Sequence, residues 1–309
     1  MTLTITDLPA PAVPRDGWGR PLVVPKGGGT PKPLTRTTTY IDCIEDKAAL
    51  TAWKSRMTLV GASRDPAMAA RAKELNPDSR EGKTALDELT ERAVSLAGAN
   101  RKREYGTHLH TLSEAVDRGE PLPAGTSDSD VADMAAYKMA TVGFDTVAIE
   151  QFVVVDELGV GGTFDRLLHY SGPGPDGRPF EGLLIGDLKT GSVQYGGLKM
   201  ASQLAVYAHG EQYDHTRFPV DGYDKKALAK WRKVEVPGEK AEAAYAEAPG
   251  VNHDWGVIIH LPAGEAQCTL YWADLRLGWE AALLARDIRR MRSTRGALVE
   301  FPGSAQRNV

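Results

Sequence analysis

The chain has 309 residues, 42% of them hydrophobic and 25% charged, the composition of a soluble globular protein long enough to bury a sizeable core as one large domain or one domain with an appendage. Its net charge of −4 gives it no global attraction for polyanions, but acids gathered in one site can offset a local basic face, so the balance excludes little. Cys43 and Cys268 stand far apart, which excludes a four-cysteine zinc site and an all-cysteine iron–sulfur cluster and makes a reducing cytoplasm the expected setting.

Taken in order, residues 1–33 are rich in Pro, Gly and Thr, with Lys26-Gly-Gly-Gly-Thr30 in their middle. They have too few spaced apolar residues to fold alone, and an extended or disordered arm is expected. Thr35-Arg-Thr-Thr-Thr-Tyr-Ile41 reads as extended, and Asp46 is placed to cap a helix through Leu50 and Trp53 to Met57. Apolar residues at helical spacing over 67–75 and 84–97, broken by Asn76-Pro-Asp-Ser79, make 34–100 a helical N-terminal region. Arg101-Lys-Arg-Glu-Tyr-Gly-Thr-His-Leu-His110 leads a further helix through Leu112 and Val116 until Gly119 and the Pro121/Pro123 pair stop it. On it His110 and Glu114 share a face while His108 points elsewhere. Asp128-Ser-Asp130 is read as the cap of a helix through Tyr137 to about Val142.

From Thr146 the period is that of strands. Residues 147–155, 159–170 and 182–189 are joined by the turn-forming Asp156-Glu-Leu-Gly159 and Ser171-Gly-Pro-Gly-Pro-Asp-Gly177, which predicts an antiparallel meander. Residues 201–209 return to helix with Gln203 and Tyr207 on one face, 254–261 and 266–272 read as strands, and 272–293 as a long closing helix. The charged stretch 221–250 reads as an insertion or mobile loop. No run of about 18 apolar residues offers a membrane span, no secretory leader is expected, and no solenoid repeat is found.

The chemistry concentrates in Leu183-Leu-Ile-Gly-Asp-Leu-Lys-Thr-Gly191. Alternation along a strand puts Asp187 and Lys189 on one side and turns Leu188 into the core. Taken alone this is a salt bridge. Gly161-Gly-Thr-Phe-Asp165 places a second acid on the preceding strand, and hairpin pairing brings Asp165 and Asp187 to one sheet edge. Two carboxylates so placed repel unless a divalent cation sits between them, and hard oxygen ligands point to Mg²⁺ or Mn²⁺. Such a metal polarises a phosphodiester oxygen and lowers the pKa of bound water. Lys189 would then orient that water or hold the charge developing on the phosphate.

The series His110, Asp165, Asp187-Leu-Lys189 and Gln203-Leu-Ala-Val-Tyr207 resembles the PD-(D/E)XK nuclease superfamily, in particular its RecB-like, CRISPR-associated-exonuclease-like branch. Gly106-Thr-His-Leu-His110 looks like that branch's glycine-to-histidine helix motif and Gly162-Thr-Phe-Asp165 its first acid. Gly186-Asp-Leu-Lys189 resembles the D/E-x-K core and Gln203 to Tyr207 the Q-x-x-x-Y helix. The resemblance covers residues 104–209, and Thr35 to Trp53 looks like the lead-in of phage relatives. It implies an α/β, restriction-endonuclease-like core, a small mixed β-sheet flanked by helices, with a helical N-terminal region and the core domain over 101–309. It implies Asp165, Asp187, His110 and the backbone carbonyl of Leu188 as metal ligands, Lys189 as the catalytic lysine, and Gln203 and Tyr207 as DNA-holding or bracing residues. Glu150 lies where several relatives place another acid. The branch's cluster cysteines are missing here, so Mg²⁺ or Mn²⁺ is expected and no iron–sulfur cluster.

The implied function is metal-dependent hydrolysis of DNA, as an exonuclease acting at ends of single- or double-stranded DNA in recombination, repair or replication. Recombination or replication proteins are the implied partners, with no membrane, in a cytoplasm that is the host's if the protein is phage-encoded. The alternatives are a structure- or sequence-specific endonuclease of the same fold, or a catalytically silent DNA-binding or assembly protein. Plainer readings stand beside these residues: His110 and Glu114 as an ordinary pair, Gln203 and Tyr207 as packing residues, and Glu150 as a solvated strand position. Arg286, Arg289, Arg290, Arg292 and Arg295 crowd the last helix, where they suit its dipole or, alternatively, phosphate. Arg101 to Arg103 and Lys225 to Lys233 offer the same choice.

Overall fold

The computed structural model describes residues 13–247 and 250–299. Leu22, Val23 and Val24, set between Pro21 and Pro25, form an apolar knot with no partner nearby in sequence. Strands β1 (Leu22–Val23) and β2 (Lys32–Pro33) pair antiparallel around it, and the knot is buried against Tyr213, Trp231, Val236 and Ala241. Over residues 13–33 the expected arm is therefore extended but built into the core; residues 1–12 lie outside the described residues. Strand β3 (Thr35–Arg36) is followed by helix α1 (Thr37–Ile41), not by the extended run predicted through Ile41. Tyr40 and Ile41 pack with Val206, Ala282 and Ala285, and this tertiary burial overrides the strand preference of three consecutive threonines.

Helices α2 (Ala48–Ala62), α3 (Pro66–Lys73) and α4 (Arg80–Leu96) make the helical N-terminal region. Asp46 does serve the start of α2, accepting from the Ala48 N–H at 2.8 Å. Asp65 and Ser79 cap α3 and α4, with Pro66 at the first position of α3. Helix α5 (Ala99–Asp117) and α6 (Asp128–Ala140) follow. The cap of α6 is Ser127, one residue before the predicted group; its hydroxyl accepts from the Asp130 N–H.

Strands β4 (Phe144–Val155), β5 (Val160–Pro173) and β6 (Pro179–Lys189) form the predicted antiparallel meander. Then come α7 (Gly197–Ala208), β7 (Glu211–Tyr213), α8 (Lys225–Trp231), α9 (Gly238–Glu242) and β8 (Tyr245–Ala246). The chain continues with β9 (Trp255–His260), β10 (Thr269–Asp274) and α10 (Leu275–Ser293). The sheet order is β10-β9-β6-β5-β4-β7-β8, with β3 beside β5; β6–β9 and β3–β5 are parallel and the other pairs antiparallel. Alternate residues of β9 serve opposite layers, Ile258 packing under α7 and Val257 and Ile259 under α5 and α6. The fold is thus mixed α/β, a mixed sheet flanked by helices. The stretch 221–250, expected as an insertion or mobile loop, holds α8, α9 and β8, with Leu228, Trp231, Val236 and Ala241 buried against the N-terminal knot. Among the described residues no helix is long and apolar enough to cross a membrane.

Helix α10 crosses α7 where Gly278 meets the Ala201 backbone, so closely that a Cβ would collide with the carbonyl. Gly278→Val is expected to lower stability by about 1–3 kcal/mol or more, the usual cost of overpacking. Gly197→Ala, on the first turn of α7 with open space around it, should leave stability unchanged or raise it by up to ~1 kcal/mol. Urea unfolding of both variants checks the contrast.

Candidate active site

The ladder between β5 and β6 runs to Arg166↔Gly186. Continuing that register sets Asp165 opposite Asp187, at the step where β6 turns its pairing to β9 through Asp187↔Ile258, Leu188↔Ile259 and Lys189↔His260. The two strands part there, and the gap is the candidate site. The Leu188 N–H donates into the gap, to Asp165 Oδ2 at 3.0 Å. Lys189's carbonyl turns the other way, accepting from the Leu261 N–H. Because successive strand residues alternate the edge they address, the Leu188 carbonyl shares the Asp165 side.

The expected salt bridge is present: the Lys189 ammonium touches Asp187 Oδ2. The other Asp187 oxygen accepts from Gln203 Nε2 at 3.1 Å, and the same amide approaches the Tyr207 hydroxyl at 3.5 Å. Tyr207 is buried beside Gly162, where a Cβ would stand 2.8 Å from the ring; this is the physical reason for a glycine before Asp165. His110 comes from the opposite layer on α5, its Nδ1 3.4 Å from Asp165 Oδ2. One turn earlier Gly106 lies against Thr190, whose Oγ1 a Cβ would approach to 2.6 Å, so the glycine lets α5 reach the end of β6. The predicted residues His110, Asp165, Asp187, Leu188, Lys189, Gln203 and Tyr207 are thus brought together.

Glu150 joins them, against the reading of it as a solvated strand position. The pairs Ile149↔Arg166 and Gln151↔Phe164 set it opposite Asp165, and its φ of +51° is a left-handed conformation that a non-glycine residue holds only under constraint. Burial first, then Asp165 and Glu114, push its carboxyl up to about 7. Burial likewise raises Asp165 and Asp187, the latter also through Asp165, while Lys189 opposes the shift at both. Burial and then Arg166 push His110 below its ordinary value, leaving a neutral imidazole with a lone pair.

Carboxylates held uncomfortably close, a neutral imidazole and a backbone carbonyl are the donors a hard divalent cation takes, and such a cation supplies the positive charge the acids lack. The donor chemistry therefore fits Mg²⁺ or Mn²⁺. Among the described residues, no three His, Cys, Asp or Glu side chains close on one point as they stand, and one Asp187 oxygen is taken by Lys189.

Arg166 was not singled out by the sequence reading. It is fully buried, donating from Nε to Asp117 Oδ2 at 2.6 Å and from Nη2 to the Ser113 hydroxyl at 2.6 Å. The Tyr137 ring lies 5.5 Å from its guanidinium, and the Tyr137 hydroxyl donates to Asp117 at 2.8 Å. The available signal was a cation directly before the apolar Leu167-Leu168. Glu114, read only as a neighbour of His110, acts on Glu150 and Asp165 and is paired with Arg118 at 3.0 Å. His108 does point elsewhere, to Asp130 at 3.3 Å. Arg289 lies over the Tyr40 ring at 5.3 Å and Arg290 pairs with Asp287 at 3.4 Å; neither has a contact with the site residues among the described residues.

In chelator, raised folded-state pKa values mean that the unfolded chain ionises first as pH rises, so stability falls between the ordinary carboxylate range and about pH 7 at Glu150. Glu150→Gln is expected to match wild type near pH 4 and to exceed it by about 1–3 kcal/mol at pH 8. Urea unfolding across pH in EDTA reads this, and an unchanged pH 8 stability contradicts the burial penalty assigned to Glu150. No protein-family model matches this chain, and no curated protein matches it.

Proposed function

We propose that the chain is a divalent-metal-dependent deoxyribonuclease, acting as an exonuclease at DNA ends in recombination, repair or replication. The observation that carries this reading is the meeting of Asp165, Asp187, Lys189 and His110 from three separate elements at the point where β5 and β6 part. The motif order of the PD-(D/E)XK superfamily supports it, as does the mixed sheet flanked by helices, although at eight strands that sheet is larger than the small one expected.

Asp165, Asp187, His110 and the Leu188 carbonyl would hold the ion, and Mg²⁺ or Mn²⁺ bound there supplies Lewis-acid polarisation of the scissile phosphate and a more acidic water. The chain's own groups do the rest. The Leu188 N–H and the Gln203 amide fix one oxygen each of Asp165 and Asp187, so that the carboxylates keep their orientation without adaptation during the reaction. Lys189 brings a positive charge to the same edge, suited to orienting the attacking water or to neutralising charge on the phosphate. Glu150, set opposite Asp165 on the neighbouring strand, adds a third acid to the same edge, and its charge would favour a bound cation. A catalytically silent reading is disfavoured by the cost of keeping these acids buried beside one another.

With Mg²⁺ or Mn²⁺, the purified protein is expected to degrade end-labelled linear DNA. Asp187→Ala and Lys189→Ala are each expected to slow it by roughly 10³-fold or more. Wild-type rates in both variants sink the assignment. Covalently closed circular DNA distinguishes the modes, since an exonuclease leaves it intact and an endonuclease nicks it.

A further inference from the structure

The loop Pro14-Arg-Asp-Gly-Trp-Gly-Arg-Pro21 plays no part in the site above, yet it is held firmly. Asp16 Oδ1 accepts from the Trp18 and Arg20 N–H groups at 3.0 and 2.8 Å, and Oδ2 accepts from Arg20 Nε at 2.7 Å. The Gly19 N–H donates to the Asp16 carbonyl, Arg15 Nη1 donates to the Gly19 carbonyl at 2.9 Å, and the Leu22 N–H ties the loop's end back to Pro14. What this bracing displays is Trp18, 80% exposed, with the Arg20 guanidinium 4.9 Å from its ring centre. An exposed tryptophan beside arginine, on a backbone already braced, is the composition of a binding hot spot, because an aromatic side chain has few rotamers to lose and the loop itself need not be ordered when the ring is covered.

The surroundings specify the ligand's charge. Arg15 is close enough to Arg36 and to Tyr223 for both to act on it, and Arg36 repels it; Tyr223 is 87% exposed. Among the described residues neither Arg15 nor Arg36 is paired with a carboxylate, Arg15 donating to the Gly19 carbonyl. Two unpaired like charges framed by exposed aromatic rings call for a ligand that carries anions along a backbone and flat rings to stack. Position links this patch to the site. Arg36 pairs with Gly161, and Asp165 lies four residues further along β5, about 13 Å at strand rise. Thr37, the next residue, flanks Gly162 together with Tyr207.

We propose that Trp18, Arg15 and Arg36 form a platform for single-stranded DNA that leads into the site, a base stacking on Trp18 and phosphates lying against the two arginines. The choice of DNA as ligand rests on the nuclease reading, but binding can be measured apart from cleavage. In EDTA, with full-length protein and a short fluorescein-labelled oligothymidylate, Trp18→Ala should weaken binding roughly tenfold. Trp18→Phe should stay within about threefold of wild type. The double substitution Arg15→Ala/Arg36→Ala should reduce the slope of log affinity against log salt by about 1.4, two phosphates' worth. Thermal unfolding of both Trp18 variants should match wild type, as expected for an exposed ring.

Wild-type affinity in Trp18→Ala, or a wild-type salt slope in the double variant, overturns the platform, as does a wild-type protein that binds polyglutamate in preference to oligothymidylate. With Mg²⁺, Trp18→Ala should raise the oligonucleotide concentration needed for half-maximal cleavage about tenfold at unchanged maximal rate, whereas Asp187→Ala lowers the rate itself. Binding that depends on Trp18 in a protein that cleaves nothing keeps the platform and removes the nuclease. Cleavage with binding indifferent to Trp18 does the reverse.

Discussion

The repulsion between Asp165 and Asp187, in a gap from which water is largely excluded, is the constraint around which the rest of the structure is arranged. Each acid is raised by burial, and an isolated pair in that position would take up protons or open the strands. The strands do part here, and each carboxylate is met from a different direction. The Leu188 N–H arrives from β6, Gln203 from α7 and His110 from α5, while Lys189 closes on the remaining Asp187 oxygen. The helices belong to opposite layers of the sheet, so the site exists only when both layers are docked.

A second charged group holds one of those layers. Arg166 follows Asp165 in sequence but reaches α5, where Ser113, Asp117 and the Tyr137 hydroxyl on α6 complete a network with the charge paired and its neighbours hydrogen-bonded. Breaking such a network by removing one partner leaves a buried charge uncompensated, which costs far more than the pair contributes when intact. Its consequence for the site is positional: with Asp117 and Ser113 fixed, α5 cannot slide, and His110, one turn before Ser113, stays at Asp165. Arg166 also lowers His110 and opposes the rise at Asp165, so one structural cation tunes two candidate ligands.

At the β8 end of the sheet a different problem is solved. Leu22–Val24 and the 211–246 region each carry too little apolar surface to bury alone, and together they form one cluster under Phe152 and Val154. That mutual burial fastens residues 13–33 to the domain, directs β3 onto β5, and so sets Thr37 beside Tyr207.

The meander, the closing helix and the cluster of Asp165, Asp187 and Lys189 were legible in the sequence because they are written in local patterns: period-two apolar runs between Gly- and Pro-rich turns, helical spacing, and an acid two residues before a lysine. Local pattern also put Asp165, Asp187 and Lys189 on one edge, since strand alternation and a hairpin suffice for that. What it could not decide is what depends on partners distant in the chain. Thr37–Ile41 became a helix because Val206 and Ala282 receive it. The stretch 221–250 became ordered because Leu22–Val24 complete its core. Glu150 came to face Asp165 because the β4–β5 register sets the two opposite each other, and Arg166 became structural because Asp117 sits on another helix. Sequence by itself determined which candidate groups are present and on which strand edge; only the packing of both helical layers onto the diverging strands decided which of them meet, because burial and charge pairing are properties of the assembled neighbours and not of any one segment.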